Sequence, residues 1–553
     1  NNRTTTTDSV SNTAILPARK YWVASDLPVN IKYQCDMPTF FNTRHTYEGE
    51  SQPFMAYLRE CGDAETFFRP LLSHYIPSNL NGDAFKKDFF KYGKPVPVGL
   101  VHGPSFKIAS DRVIKRFERV GYERHSIPFE FDAEAIRDDL NKHAAMGAQY
   151  VGKKEQHLDG ISEEQFCDEF VASCCRLANN CDGVWKGSLK AELRSKEKVQ
   201  ENKTRVFTSA PYDVLLGGKA CVMHFNKKFY ANNTKGPWTV GINKLGLGWH
   251  RLLKSLPEGF VYGTGDGSQF DSSLTPLLIN EVCRIRMYFM QDDELGQAML
   301  RGLYRQIIWT LISMPDGSVV RKAKGNPSGQ PSTVDDNTIM VMLAVEYVFA
   351  YLGITQEEMD TIFKYYANGD DLIFAIHPDR ESILNEFTHL FAHLGLNYIF
   401  EDRTRNRAEL EYMSLTGIER EGFYIPKLSR ERISSIVQWR RKGDTRAMFD
   451  ALNAAILESW GYDDLTYWLR KYYEWLIINR YDIDLPEGEK LPYHTETAVE
   501  TLYTCDDNTT VYDGRYDFEV PTDASGGVFI IDFQSSSGTD TPPVIPPATS
   551  EPA

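Results

Sequence analysis

Apolar and aromatic positions gather into three kinds of run along the chain. One is a pair of short stretches, Phe363-Lys-Tyr-Tyr-Ala367 and Leu372-Ile-Phe-Ala-Ile376, separated by Asn368-Gly369-Asp370-Asp371. Both stretches suit strands, and Asn-Gly between them predicts a tight turn, because both central residues of that turn favour positive φ. The hairpin so formed carries Asp370 and Asp371 at its tip. A second run, Ile339 to Ile354, is the most apolar in the chain, is broken by Glu346, and is too short to span a bilayer; it reads as a buried helix. From about Leu428 to Tyr481 the pattern changes again. Ile433, Ile436, Val437, Met448, Leu452, Ile456, Trp460, Leu465, Leu469 and Tyr473 recur mostly at three-to-four spacing with charges between, which predicts a late helical subdomain.

Strand-like and helix-like stretches are mixed with no internal repeat, so the body is expected to be α+β. At 553 residues it calls for several packed subdomains. The first eighteen residues or so are polar and Thr-rich and read as an arm, and the opening Asn-Asn-Arg-Thr has no basic start leading into an apolar signal core. The stretch from Ser535 to Ala553 has five prolines and no Lys or Arg and cannot build a core. Nine scattered cysteines, an odd number without a repeated Cys-x-x-Cys pair, point to buried free thiols in a reducing compartment rather than disulfides or zinc. A net charge of −15 does not advertise a nucleic-acid binder, but a global sum says little when basic residues concentrate on one surface.

They do concentrate. From Lys186 to Arg205 there are seven basic and three acidic residues, with Arg194, Lys198, Lys203 and Arg205 among them. Such a strip suits phosphate, although a bare charge run is more often a solvated helix face. Adjacent carboxylates in a buried hairpin need a counter-cation, and a divalent metal is the natural partner for Asp370 and Asp371. A second pair, Asp266 and Asp271, lies in Val261-Tyr-Gly-Thr-Gly-Asp-Gly-Ser-Gln-Phe-Asp271. Asp266 at a strand end could meet the hairpin across a sheet and complete a site for Mg²⁺ ions, which prefer oxygen ligands; a plain Asx turn is the alternative. A third element, Gly325-Asn-Pro-Ser328-Gly-Gln-Pro-Ser-Thr333-Val-Asp-Asp-Asn337, opens onto the apolar run, and in a helix Thr333 and Asn337 share one face.

In the order basic strip, Asp-x4-Asp, Ser-Gly-x3-Thr-x3-Asn and Gly-Asp-Asp, these elements resemble motifs F, A, B and C of viral RNA-dependent RNA polymerases. The local wording, Asp-Gly-Ser-Gln-Phe-Asp-Ser-Ser-Leu-Thr-Pro, Ser-Gly-Gln-Pro-Ser-Thr-Val and Ala-Asn-Gly-Asp-Asp-Leu, is similar to the nuclear inclusion b polymerases of potyvirus-type plant viruses (Potyviridae). Gly236-Pro-Trp-Thr-Val-Gly241 and Gly417-Ile-Glu-Arg-Glu-Gly-Phe-Tyr-Ile-Pro-Lys-Leu428 extend the likeness over roughly residues 35 to 505. Ala144 to Lys154 resembles motif G at a template entrance; its Gly-x4-Gly-Lys is followed by Lys154 rather than Ser or Thr, which argues against a P-loop.

The resemblance implies a closed right hand: an arm (1–34), fingers (35–254, basic motif near 190–207), a palm with an antiparallel sheet and flanking helices (255–415, with a fingers insertion near 296–325), and a helical thumb (416–510). Beyond it lie an extension (511–534) and a disordered tail (535–553), the start of a coat protein if cleavage falls between Gln534 and Ser535. Asp266 and Asp370, assisted by Asp371, are implied as catalytic ligands of two Mg²⁺ ions, with Mn²⁺ as a substitute. Asp271, Ser328, Thr333 and Asn337 are implied to sense the ribose 2′-hydroxyl, and Arg194, Lys198, Lys203 and Arg205 to line the triphosphate channel. The implied function is RNA synthesis on an RNA template, replicating a positive-strand RNA virus genome. Its partners would be template and primer RNA, ribonucleoside triphosphates, the viral genome-linked protein and the viral protease. The setting would be membrane-associated replication complexes in the host cytoplasm and also the host nucleus. A lysine general acid after Gly395-Leu396 is missing: Arg403 follows, and arginine is a poor proton donor.

Overall fold

The computed structural model describes residues 26–37, 44–97, 99–485, 491 and 493–506. Most of the expected arm, the 511–534 extension, the tail and the Gln534–Ser535 junction lie outside the described residues. At the centre is an antiparallel sheet in the order Phe363–Asn368, Asp371–Ile376, Val261–Gly267, Tyr398–Ile399, with Arg403–Thr404 also pairing on Val261–Gly267. The helix Thr333–Tyr351 packs against this sheet, and every residue from Asp335 to Ala350 is buried. A helix that is apolar on all sides has no solvent face to offer, and this one is the spine of the core. Glu346, which interrupts its apolar run, accepts from the Arg116 guanidinium at 2.7 Å and from the Tyr365 hydroxyl at 3.1 Å. Among the described residues no single helix is long and apolar enough to cross a membrane.

A second five-stranded sheet runs Ile31–Asp36, Ser318–Lys322, Leu311–Ser313, Trp185–Leu189, Val206–Ser209. Residues 311–322 thus leave the central region and join strands that come more than a hundred positions earlier. The span expected to be helical from residue 416 opens instead with strands Leu415–Arg420 and Phe423–Lys427. Their turn residues Glu421 and Gly422 both have positive φ, at 52° and 85°, the geometry of a type I′ hairpin. Helices follow at Arg430–Gln438, Thr445–Ser459 and Asp463–Ile478. The early strand Tyr47–Glu50 pairs with Trp439–Arg441, and Phe54, Tyr57 and Phe68 pack among Leu469, Tyr472 and Tyr473. The two ends of the hand therefore close on each other. All nine cysteines are free, but Cys167, Cys175 and Cys181 are exposed, so of the early cluster only Cys174 fits the expected buried thiol.

Candidate active site

The register of the central sheet brings the carboxylates together. Asn368 pairs with Asp371 and Leu372 with Gly265, so Asp266 lies one residue beyond a neighbouring strand's last pair with the hairpin. The turn differs from the Asn-Gly turn expected. Asn368 ends the first strand, Gly369 and Asp370 are the two loop residues, and only Gly369 has positive φ, at 57°. That is the type II′ pattern, with glycine at the first loop position.

Each side of the turn is pinned. The Gly369 N–H donates to Thr338 Oγ1 at 2.8 Å, the Tyr398 hydroxyl donates to the Asp370 carbonyl at 2.5 Å, and Asn368 Nδ2 donates to Thr239 Oγ1 at 3.2 Å. Thr239 belongs to the Gly236–Gly241 stretch, whose Pro237 carbonyl and Thr239 N–H both bond Ala367 on the hairpin's first strand. None of these pinning residues is among the expected site residues; Asn368 and Thr239 lie in motif stretches, Thr338 and Tyr398 do not.

Burial, together with Asp370, Asp266 and Glu411, pushes the Asp371 carboxyl up to about 7. Burial also raises Asp370, with Asp266 adding to the rise, and desolvation and Asp402 raise Asp266. Among the described residues no Lys or Arg forms an ion pair with any of the three. Hard oxygen donors that repel one another and have no ion-pair partner suit a divalent metal by their chemistry. Among the described residues no three His, Cys, Asp or Glu side chains are gathered closely enough to hold a metal ion, so the fit rests on the chemistry of the donors and not on a preformed cage.

The four residues expected to sense ribose divide into two pairs. Asn337 Nδ2 donates to Asp271 Oδ1 at 2.8 Å. Burial raises Asp271 to about 6, with the Asn337 bond and the Asp370 charge acting in opposite directions. The Ser328 and Thr333 side chains hydrogen-bond elsewhere. Ser328 Oγ accepts from the Thr208 N–H at 3.3 Å, and Thr333 Oγ1 donates back to the carbonyls of Ser328 and Gln330 at 3.0 and 3.1 Å. Both are used to knot the loop and tie it to the strand Val206–Ser209. Gly329 makes that approach possible, because a Cβ there would collide with the Thr208 carbonyl.

The basic strip folds as the strand Leu193–Ser195, the helix Lys196–Gln200 and a loop into Val206–Ser209. Its cations crowd: burial, then Arg194, Arg205 and Lys203, hold Lys198 below the usual lysine range. Arg205, expected to line the triphosphate channel, has an acidic partner. Its guanidinium forks onto Glu192 at 2.6 and 2.5 Å, although the side chain is 54% exposed and its charge reaches Asp271 and Asp370. Arg194 donates to the Lys203 carbonyl, and Lys203 pairs with Glu201. Arg403 bonds Glu381 and Asn385 at 3.3 and 3.2 Å and lines the same cavity as Asp266. Lys154 is buried and donates to the Ala145 carbonyl at 2.8 Å, so it serves the loop fold.

Beneath the site lies a buried acid that sequence reading passed over. Asp335 Oδ2 accepts from the Tyr230 hydroxyl at 3.1 Å, and Oδ1 has no partner. Burial pushes this carboxyl from 3.8 to about 7, against the pull of Arg286. Between those values the folded chain holds a proton that the unfolded chain has released, so this group's contribution to stability falls as pH rises from about 4 to 7. Asp335→Asn removes that dependence. Thermal melts are expected to show the variant more stable than wild type at pH 8 and the two converging near pH 4; parallel curves would contradict the assignment.

A family model described as viral RNA-dependent RNA polymerase matches residues 53–477. The chain belongs to that family. Genome polyproteins of potyviruses are similar to it: 48% identity over 483 residues for lettuce mosaic virus (strain 0, isolate French), 46% over 484 for plum pox potyvirus (isolate NAT) and 45% over 482 for turnip mosaic virus (strain Japanese). These matches cover 87 or 88% of this chain, which spans about 15% of each polyprotein. The fold of the chain also matches the solved Sicinivirus 3Dpol RNA dependent RNA polymerase, with a TM-score of 0.63 and 16% identity, covering 80% of this chain and 93% of that one. The α+β right hand expected from the sequence is therefore the fold observed.

Proposed function

We propose that the polymerase copies an RNA template into RNA for a positive-strand RNA virus, by attack of a primer 3′-hydroxyl on the α-phosphorus of a ribonucleoside triphosphate with release of pyrophosphate. The observation that carries this reading is one sheet end that presents Asp266, Asp370 and Asp371 beside an Asp271 already held by Asn337. Asp266 and Asp370, with Asp371 assisting, would hold two Mg²⁺ ions, or Mn²⁺ in their place. When bound, such ions lower the pKa of the attacking hydroxyl and offset charge on the triphosphate. The protein's own part is to hold these carboxylates in a rigid hairpin, to order the ribose partner and to supply cations from the strip.

A site built to hydrogen-bond the 2′-hydroxyl penalises a deoxynucleotide, which leaves polar groups unpaired. RNA is therefore the expected product, tested by offering ribo- and deoxynucleotides on one RNA template; preference for deoxynucleotides would overturn the reading. Template, primer and ribonucleoside triphosphates are the partners this chemistry needs. Release from a longer chain by a viral protease is in keeping with the polyprotein relatives, and a genome-linked protein is the proposed primer.

Arg205 is the strip's best candidate for neutralising triphosphate charge, and an incoming triphosphate would compete with Glu192 for it. Arg205→Ala is expected to raise nucleotide KM by about tenfold in steady-state extension, the worth of one charge-assisted contact. Unchanged kinetics would remove Arg205 from the site.

A further inference from the structure

We infer that Asn326 and Gln330 are positioning residues: they fix which end of the Asn337 amide faces Asp271, and so tune discrimination between ribose and deoxyribose. The inference rests on the polymerase reading above and extends it to two residues outside the expected sensing set.

A continuous buried chain of hydrogen bonds runs from an ion pair to Asp271. Its root is Arg286 with Asp336, 2.9 Å apart, both almost wholly buried. Gln330 Nε2 donates to Asp336 Oδ2 at 2.8 Å and to Asn326 Oδ1 at 3.2 Å, while Gln330 Oε1 accepts from the Ser332 N–H at 2.7 Å. Asn326 Nδ2 donates to Asn337 Oδ1 at 2.8 Å, and Asn337 Nδ2 donates to Asp271 Oδ1 at 2.8 Å. Asn326, Gln330 and Asn337 are 1, 5 and 7% exposed, so water is not a ready substitute partner.

The direction of this chain is determined at its root. A carboxylate only accepts and a backbone N–H only donates, so the Gln330 amide has one orientation that satisfies both Asp336 and Ser332. That orientation points an NH₂ at Asn326, whose own NH₂ must then face Asn337, whose NH₂ must face Asp271. Asp271 thus receives a donor on one oxygen, and its carboxylate keeps acceptor capacity for a ribose hydroxyl. Asn326 grips the same turn a second way: its N–H donates to the Asp271 carbonyl, and the Gly325 N–H to the Leu274 carbonyl, both at 2.8 Å. Lys324 Nζ adds a bond to the Ser272 carbonyl at 2.6 Å.

Asn326→Asp keeps the shape and removes the donor to Asn337. Asn337 then gains by turning its NH₂ to the new carboxylate, which presents its carbonyl oxygen to Asp271, acceptor against acceptor. Asn326→Ala removes the link without adding a charge. Single-nucleotide incorporation by both variants, wild type and Asp271→Ala is measured with a ribonucleotide and its deoxy analogue. Both Asn326 variants are expected to lower the ratio of kcat/KM for ribo- over deoxynucleotide by about tenfold, mainly through a higher ribonucleotide KM. A purely structural role would lower both nucleotides together and leave the ratio alone, which would overturn the inference. If Asp271→Ala loses discrimination while both Asn326 variants keep it, the inference fails and the polymerase reading stands. If wild type itself shows no ribonucleotide preference, the reading beneath the inference fails with it.

Discussion

Exchanging Asp370 for asparagine is expected to lower RNA primer extension by about three orders of magnitude while leaving the fold as stable as before, or more so. The turn does not depend on this side chain. Its backbone is held by the Tyr398 hydroxyl at the Asp370 carbonyl and by Thr338 at the Gly369 N–H, and asparagine has nearly the same size. What it loses is a charge that burial and Asp266 already make costly. Removing that charge relieves repulsion in the metal-free protein and, on the proposed reading, takes away a metal ligand at once. The melting temperature therefore serves as a second readout. Added Mg²⁺ is expected to raise it for wild type, because a ligand that binds only the folded state stabilises that state, and to raise it less for Asp370→Asn. Extension that survives at the wild-type rate in the purified variant would place the chemistry elsewhere.

The largest effect on stability is expected at Arg286. Its guanidinium donates to Asp336 at 3.1 and 2.9 Å, to Asn226 at 2.9 Å and to Ser332 at 2.5 Å, and lies 4.5 Å from the Phe225 ring centroid. Arg286→Met fills much of the same space but leaves Asp336 buried without its cation, a change that costs about 3–5 kcal/mol. The Tyr304 hydroxyl at 2.7 Å and the Gln330 amide still bond that carboxylate, but neither brings charge. A second change, Asp336→Asn, is expected to recover part of the loss, since it removes the unpaired charge. Denaturant unfolding of the single and double variants measures this. A loss under about 1 kcal/mol in the single variant would contradict the reading of this pair as the anchor beneath the site.

The sequence makes some of this architecture plain for physical reasons. A run of apolar residues as long as Ile339 to Ile354 must be interior, and the helix Thr333–Tyr351 is buried at every position from Asp335 to Ala350. Strand pattern and turn residues place Asp370 and Asp371 at a hairpin tip, although which two residues form the loop depends on register, and register is a property of the pair of strands. The partners of the polar loop were less legible. Ser328 and Thr333 have the right residue types to contact a ligand, yet hydroxyls also bond nearby backbone, and here both do. The grip of Glu192 on Arg205 joins residues on opposite sides of the strip's helix, and spacing alone does not reveal it. Asp335-Asp336 at the head of an apolar helix carried a signal that was not used: two carboxylates entering a core require a buried cation or a raised pKa, and the fold supplies Arg286 for one and proton retention for the other. The pairing of Tyr47–Glu50 with Trp439–Arg441 joins segments about 390 residues apart and leaves no local trace.

The central claim is templated RNA synthesis at the carboxylates of the hairpin. It is tested most directly by giving the purified protein a primed RNA template of defined mixed sequence, all four ribonucleoside triphosphates and Mg²⁺, and sequencing what is added to the primer. The account predicts an RNA extension complementary to the template, made by wild type and absent with Asp370→Asn; an untemplated or deoxynucleotide product, or one made equally by the variant, would contradict it.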